Sequence, residues 1–114
     1  MRMLLAGEWV DRPKTIDVRD PFDNSLVDTV PAATHDDVEA ALAAAAAATA
    51  TARRMTTYER AQILFKTAAI VADHLEDFAR TIAREGSKTI REARKEARRC
   101  VNTLTISAEE AKRL

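Results

Sequence analysis

Residues 87–114 read SKTIREARKEARRCVNTLTISAEEAKRL, and how this stretch is read decides the fold. With a seven-residue period, Ile90, Ala97, Leu104 and Ala111 fall on one line, and Ala93, Cys100, Ser107 and Leu114 on the line beside it. Arg91, Glu92, Lys95, Glu96, Arg98, Arg99, Glu109, Glu110 and Lys112 stand between them. The pattern predicts an amphipathic helix with one apolar seam, about 40 Å long at ~1.5 Å per residue. Nothing in the seam carries chemistry, so the physical reading stops at a soluble, mostly helical domain.

Working back from Ser87, Gly86 is placed to end a short helix as a C′ glycine, with Leu75, Phe78 and Ile82 on its apolar face. Ser87 or Thr89 then opens the last helix. The helical phase wavers at Asp73-His74. Before it, Ala61, Leu64, Phe65, Ala68, Ala72 and Leu75 recur at helical spacing, and Thr56-Thr57-Tyr58-Glu59 forms a capping box. An earlier helix starts at Thr34, with Asp36 and Asp37 in its first turn and Arg53-Arg54 near its end, both suited to the helix dipole. Its expected buried stripe is Val38, Ala41, Leu42 and Ala45. The alanine run from Ala43 to Ala48 suits a helix that approaches a neighbour closely.

Ahead of Thr34 the period is two. Met3–Ala6 is a short apolar run, Gly7-Glu8 interrupts it, and Trp9-Val10 follows. Thr15–Arg19 alternates, Asp20-Pro21-Phe22-Asp23-Asn24 carries turn chemistry, and Ser25–Val30 makes a further strand closed by Pro31. The expected fold is mainly α with a small amino-terminal antiparallel β element: three short strands, then four helices. Residues 1–33 are the β-rich segment and 34–114 the helical one, together a single partial domain.

Composition bounds the rest. A 114-residue chain can bury roughly 65% of its unfolded surface, but much of the 46% hydrophobic content is alanine, which removes little area per residue. Lys plus Arg and Asp plus Glu are both 18, which gives no electrostatic case for nucleic acid or an anionic membrane. The basic run from Lys88 to Arg99 lacks interleaved aromatics and reads as a solvated helix face with some Glu–Lys pairing. A single cysteine, Cys100, excludes an internal disulfide and suits a reducing cytoplasm. Ala40–Ala48 is far short of the ~20 apolar residues that span a bilayer.

Candidate chemical groups fare poorly. His35 and His74 lie far apart in sequence without a second ligand at metal spacing. Cys100 on the apolar seam, with no nearby histidine, is expected to be an inert, protonated thiol. Ser25, Ser87 and Ser107 lack a companion base. Two glycines, Gly7 and Gly86, cannot build a phosphate-cradling loop. Glu92 and Glu96, one helical turn apart, are better explained as facing water than as sharing a cation.

The ordered motifs add what spacing does not. Ala6-Gly7-Glu8-Trp9-Val10 is similar to the opening NGEW of the NAD(P)-dependent aldehyde dehydrogenases. Asp20-Pro21-Phe22-Asp23-Asn24-Ser25 stands where that family has NPATGE, and Val30-Pro31-Ala32-Ala33 follows. Thr34-His35-Asp36-Asp37-Val38 resembles the start of the family's first helix, and Glu59-Arg60-Ala61-Gln62-Ile63-Leu64 its ERaxiL motif. Glu85-Gly86-Ser87-Lys88-Thr89 takes the place of the family's ETGKP, with Glu92-Ala93 and Glu96 after it. Ser87 replaces the glycine and Thr89 the proline of GKP, so the turn into the last helix is where a different shape is expected. Asp20 replaces the usual Asn.

The resemblance implies the amino-terminal segment of such an enzyme, part of a Rossmann-type cofactor domain without its sheet. The implied parent uses NAD or NADP to oxidise an aldehyde to the acid, through a thiohemiacetal on a cysteine. The family's nucleophilic cysteine, general-base glutamate, oxyanion-stabilising asparagine and ribose-binding lysine lie beyond this segment. No catalytic or cofactor-binding residue is therefore expected here; Cys100 is not the nucleophile, and this chain alone is expected to bind no cofactor and to be inactive. A structural cation held by Glu96 and the backbone around Asp20 is also implied. Expected partners are the remainder of a dehydrogenase chain or copies of the same chain as a homo-oligomer, with neither nucleic acid nor membrane. The competing reading is a stand-alone helical interaction module that buries the same faces between copies.

Overall fold

The computed structural model describes residues 1–113. Four strands precede four helices: β1 (Met3–Leu5), β2 (Glu8–Val10), β3 (Thr15–Arg19), β4 (Leu26–Pro31), α1 (His35–Arg54), α2 (Thr57–Asp73), α3 (Leu75–Gly86) and α4 (Ile90–Ala111). The chain forms two compact units, Met1–Arg54 and the part from Met55 onward, so α1 belongs with the strands.

In the first unit the strands make two antiparallel pairs, β1 with β2 and β3 with β4. The three strands expected from the sequence are thus four. The difference lies in Ala6-Gly7, where φ is 51° and 91°. Two successive positive φ angles make the tight turn whose twist matches paired strands, so Glu8–Val10 folds back on Met3–Leu5, Met3 opposite Val10 and Leu5 opposite Glu8. The second pair runs from Thr15 opposite Pro31 to Arg19 opposite Leu26, with an irregularity between Val18 and Arg19. Pro31 therefore lies within β4 instead of closing it. The turn between β3 and β4 is held by its own side chains: the Phe22 amide donates to Asp20 Oδ1 and the Ser25 amide to Asp23 Oδ1, both at 2.9 Å. Phe22 at the turn is 90% exposed.

Helix α1 begins as its first-turn acids predict, but its apolar stripe is not buried. Val38 and Leu42 are 50% and 60% exposed, because within this unit α1 packs on β1 and meets it over a short span. Asp37 is the buried residue of the helix.

In the second unit α4 packs along α2 and α3. Every buried residue among those described here is an alanine: Ala61, Ala68, Ala79, Ala93, Ala97 and Ala108. Leu75, Ile82 and Ala83 pack, partly buried, against the cluster of Ala79, Ala93 and Ala97. The seam of α4 is accordingly rotated from the seven-residue reading. Ala93, Ala97, Leu104, Ala108 and Ala111, spaced by three, four or seven, face inward, whereas Cys100 and Ser107 are exposed. Leu114 lies outside the described residues.

The capping box of α2 forms as the sequence predicts: the Thr56 amide donates to Glu59 Oε2 at 2.7 Å and the Glu59 amide to Thr56 Oγ1 at 3.2 Å. These bonds hold the Glu59 carboxyl below its usual range, the backbone amide contributing most. Helix α2 ends at Asp73, and α3 starts after His74. Thr89 caps α4, accepting the Glu92 amide at 3.3 Å. The end of α3 departs from expectation. Gly86 is its last helical residue, and Ser87 takes the left-handed position, at φ 50°.

A Cβ in that region costs about 1–2 kcal/mol that glycine avoids. Ser87→Gly is expected to stabilise the chain by about 0.5–1 kcal/mol, part of the relief being offset by unfolded-state entropy. A thermal melt of the two proteins checks this, with a higher midpoint for the glycine variant.

Candidate functional site

The most tightly bonded charged group of the first unit is Asp37. Thr34 and Asp37 form a capping box in which the acid stands where Glu is usual: the Asp37 amide donates to Thr34 Oγ1 at 3.2 Å, and the Thr34 amide and hydroxyl both donate to Asp37 Oδ2 at 2.9 Å. Arg12, from the β2–β3 connection, closes on the same carboxylate as a fork, its Nε to Oδ2 at 3.0 Å and its Nη2 to Oδ1. The Arg12 guanidinium, helped by the Thr34 amide, holds the Asp37 carboxyl well below the usual carboxylate range. The sequence showed Asp37 as a first-turn acid; its partner 25 residues away carried no local signal. Both carboxylate oxygens of Asp37 are engaged by its own chain, so the group ties the Arg12 connection to the start of α1.

In the second unit the charged groups gather at the start of α4. Lys88, Glu92, Lys95, Glu96 and Arg99 line an open cleft of about 470 Å³. The Lys88 ammonium donates to Glu96 Oε2, which lowers the Glu96 pKa. The Glu92 carboxylate accepts the Thr89 hydroxyl at 2.8 Å. Arg94 forks onto Glu76 of α3 at 2.8 and 3.0 Å, lowering the Glu76 pKa and joining the two helices. This is the solvated, pair-laced face that the basic run predicted.

The two residues assigned to a structural cation fall in different units. Asp20 sits in the β3–β4 turn, its carbonyl accepting the Asn24 amide at 2.8 Å and its Oδ1 the Phe22 amide. Glu96 sits on α4, where a cation would have to displace Lys88. Among the described residues no group of three His, Cys, Asp or Glu side chains is placed to hold a metal ion.

Cys100 is exposed rather than buried in the seam. It lines an apolar hollow of about 230 Å³ with Val71, Phe78, Ile82, Glu96 and Ala97, and no histidine is among the lining residues. His35 stands near Glu39 at 4.0 Å, and His74 meets Asp77 at 3.3 Å between two helices. Neither glycine forms a phosphate cradle of the dinucleotide-binding kind. Gly7 is in a hairpin turn and Gly86 ends a helix. Neither stands between a strand and a helix N-terminus, where a pyrophosphate is cradled. No step through a nicotinamide follows from these residues.

The sequence profile described as the aldehyde dehydrogenase family matches residues 9–114. The chain belongs to this family. Among curated aldehyde dehydrogenases it is 38% identical to the 3-sulfolactaldehyde dehydrogenase of Priestia megaterium over 98% of its own length and 23% of the relative's. It is 40% identical to aspartate-semialdehyde dehydrogenase 1 of Pseudomonas canavaninivorans over 86% of its length and 21% of the relative's. Its fold matches the crystal structure of aldehyde dehydrogenase 21 from Physcomitrella patens, in complex with the reaction product succinate, with a TM-score of 0.92 and 36% identity. That match covers 96% of this chain and 23% of the dehydrogenase. The chain thus spans about a fifth to a quarter of the length of these aldehyde dehydrogenases. Among its described residues no helix is long and apolar enough to cross a membrane.

The Arg12–Asp37 clamp gives a testable acid response. Asp37 gives up its proton more readily folded than unfolded. Its contribution is therefore complete above the ordinary aspartate pKa of about 4 and is lost as pH falls below it. Asp37→Asn is expected to lower the melting midpoint at pH 7 and to flatten the loss of stability between about pH 4 and pH 2. A parallel pH dependence in the two proteins would show that the clamp does not act.

Proposed function

We propose that residues 1–114 form one partial domain, the amino-terminal part of an NAD(P)-dependent aldehyde dehydrogenase, and that this segment alone does not turn over aldehyde. The observation that carries the reading is the continuous family match from residue 9 to 114 on a fold shared with a solved dehydrogenase at a TM-score of 0.92. The parent oxidises an aldehyde to its acid through a cysteine thiohemiacetal supplied by another part of the polypeptide. What this segment supplies is packing: a capped, alanine-seamed helical layer. Use of NAD or NADP is supported by relatives named for each, an NAD-dependent benzaldehyde dehydrogenase of Corynebacterium glutamicum and a D-glyceraldehyde dehydrogenase (NADP(+)) of Picrophilus torridus. A reducing cytoplasm suits the exposed free thiol of Cys100, and a homo-oligomeric parent is part of the same reading.

A substrate class is suggested by three of the relatives, while the benzaldehyde and D-glyceraldehyde enzymes are named for neutral aldehydes. 3-Sulfolactaldehyde, aspartate semialdehyde and the aldehyde that yields succinate are short aldehydes carrying an acid group. The parent is proposed to take an anionic semialdehyde. The full-length dehydrogenase carrying this segment is expected to show a kcat/KM for succinate semialdehyde at least about tenfold above that for benzaldehyde, roughly 1.4 kcal/mol of transition-state discrimination. Equal values would overturn that assignment.

The segment's role is tested in a chimera. Residues 1–114 replace the matched quarter of the Physcomitrella patens enzyme, and NAD(P)H formation from succinate semialdehyde is followed. The chimera is expected to be folded and active, while residues 1–114 alone give no more NAD(P)H than their Cys100→Ala variant. An unfolded chimera, or Cys100-dependent turnover by the segment alone, would contradict the reading.

A further inference from the structure

Helix α1 is held at one end. Its start carries the Thr34–Asp37 box and the Arg12 fork, and Asp37 is its buried residue. From Ala45 to Arg54 every residue is exposed. Thr49 and Thr51 are weak helix formers, and an unsupported helical stretch shorter than about 12 residues is marginal in water. A segment with few buried contacts and solvated backbone bonds opens locally at low cost. This one ends in two exposed arginines, Arg53 and Arg54, and after them the chain leaves the helix. Thr56 is already extended, at φ -68° and ψ 159°. Endoproteases nick chains where they are poorly held and bind them extended. Only the last turns of α1 must unwind to present Arg54 in that form.

Other basic residues near chain connections are held more firmly. Arg12 is forked onto Asp37 and followed by Pro13. The Lys14 carbonyl accepts the Ala32 amide at 2.9 Å beside the β3–β4 pair. Lys88, in the α3–α4 turn, donates to Glu96, and the helices on either side of it bury Ala79 and Ala93. Opening the chain around Lys88 therefore costs packing that opening the end of α1 does not.

We propose that the Arg53-Arg54 pair is a processing site for a serine endoprotease that takes arginine on the carbonyl side of the cut, with the Arg54–Met55 bond as the main target. Water adds across that bond: the Arg54 carbonyl carbon takes the oxygen and becomes a carboxylate, and the Met55 nitrogen takes the proton and becomes an amine. The products are residues 1–54 and 55–114. The second keeps its helices, because the Thr56–Glu59 capping box and the packing of α4 on α2 and α3 all lie beyond the cut.

Residues 1–114 are treated with a trace of trypsin, and intact masses and helical circular dichroism are followed with time. The first internal cut is expected at the arginine pair, and the product from Met55 onward is expected to persist with its helical signal. Arg53→Gln/Arg54→Gln is expected to slow the loss of intact chain at least about fivefold. Ala46→Gly/Ala50→Gly leaves every arginine in place and is expected to speed the cut at least about fivefold, since glycine favours the open form and cleavage follows its population. A first cut anywhere else between Arg12 and Arg99, or a glycine variant cut no faster, would overturn the proposal. So would a 55–114 product that loses its helical signal as it forms.

Discussion

The constraint on which the second half of this protein depends is the closeness of its helices. Where α2, α3 and α4 meet, the side chains that disappear from solvent are single methyl groups. Alanine at Ala61, Ala68, Ala79, Ala93, Ala97 and Ala108 lets the backbones approach and pack densely. Each such methyl removes little surface from water, at roughly 25 cal/mol per Å². The arrangement is thus well specified in geometry and thinly supported in energy. The first half solves a related problem differently, using the Arg12 fork on Asp37 to tie a strand connection to the start of a helix.

Much of this was legible from residue types. The capping box at Thr56 and Glu59, the break at Asp73-His74 and the helix opening at Thr89 are local devices, and local devices survive translation into structure. Thr15–Arg19 alternated with period two and is a strand over those five residues. The misses have nonlocal or conformational causes. Glu8–Val10 was too short to stand as a strand until Ala6-Gly7 turned it back onto β1. Cys100 follows the buried Ala93 by seven residues, a drift of only about 20°, yet it is exposed, because spacing places a residue on a face and does not supply the neighbour that covers it. Val38 and Leu42 have the spacing of a buried stripe, but burial needs a neighbour and none of this unit's elements covers them.

The same distinction separates what was readable about function. Two distant histidines, one cysteine and two glycines gave the sequence few candidate groups from which to argue a site. The structure gives two of the acids partners that the sequence did not specify, Lys88 for Glu96 and the Thr89 hydroxyl for Glu92. Membership of the aldehyde dehydrogenase family came from motif order along the chain. Ser87 shows how the two kinds of reading meet: a serine standing where the family has glycine takes the left-handed position at the end of α3.

The central claim is that this segment is held by alanine contacts while its large apolar side chains stay in water. Hydroxyl-radical footprinting of residues 1–114 alone, read residue by residue by mass spectrometry, tests it most directly. Rapid oxidation at Phe22, Ile63, Ile70 and Ile106, with slower oxidation at Phe65 and Leu104, is the predicted result. Protection of Ile63, Ile70 and Ile106 to the level of Phe65 and Leu104 would mean that the chain closes a core of its own, and would contradict the account.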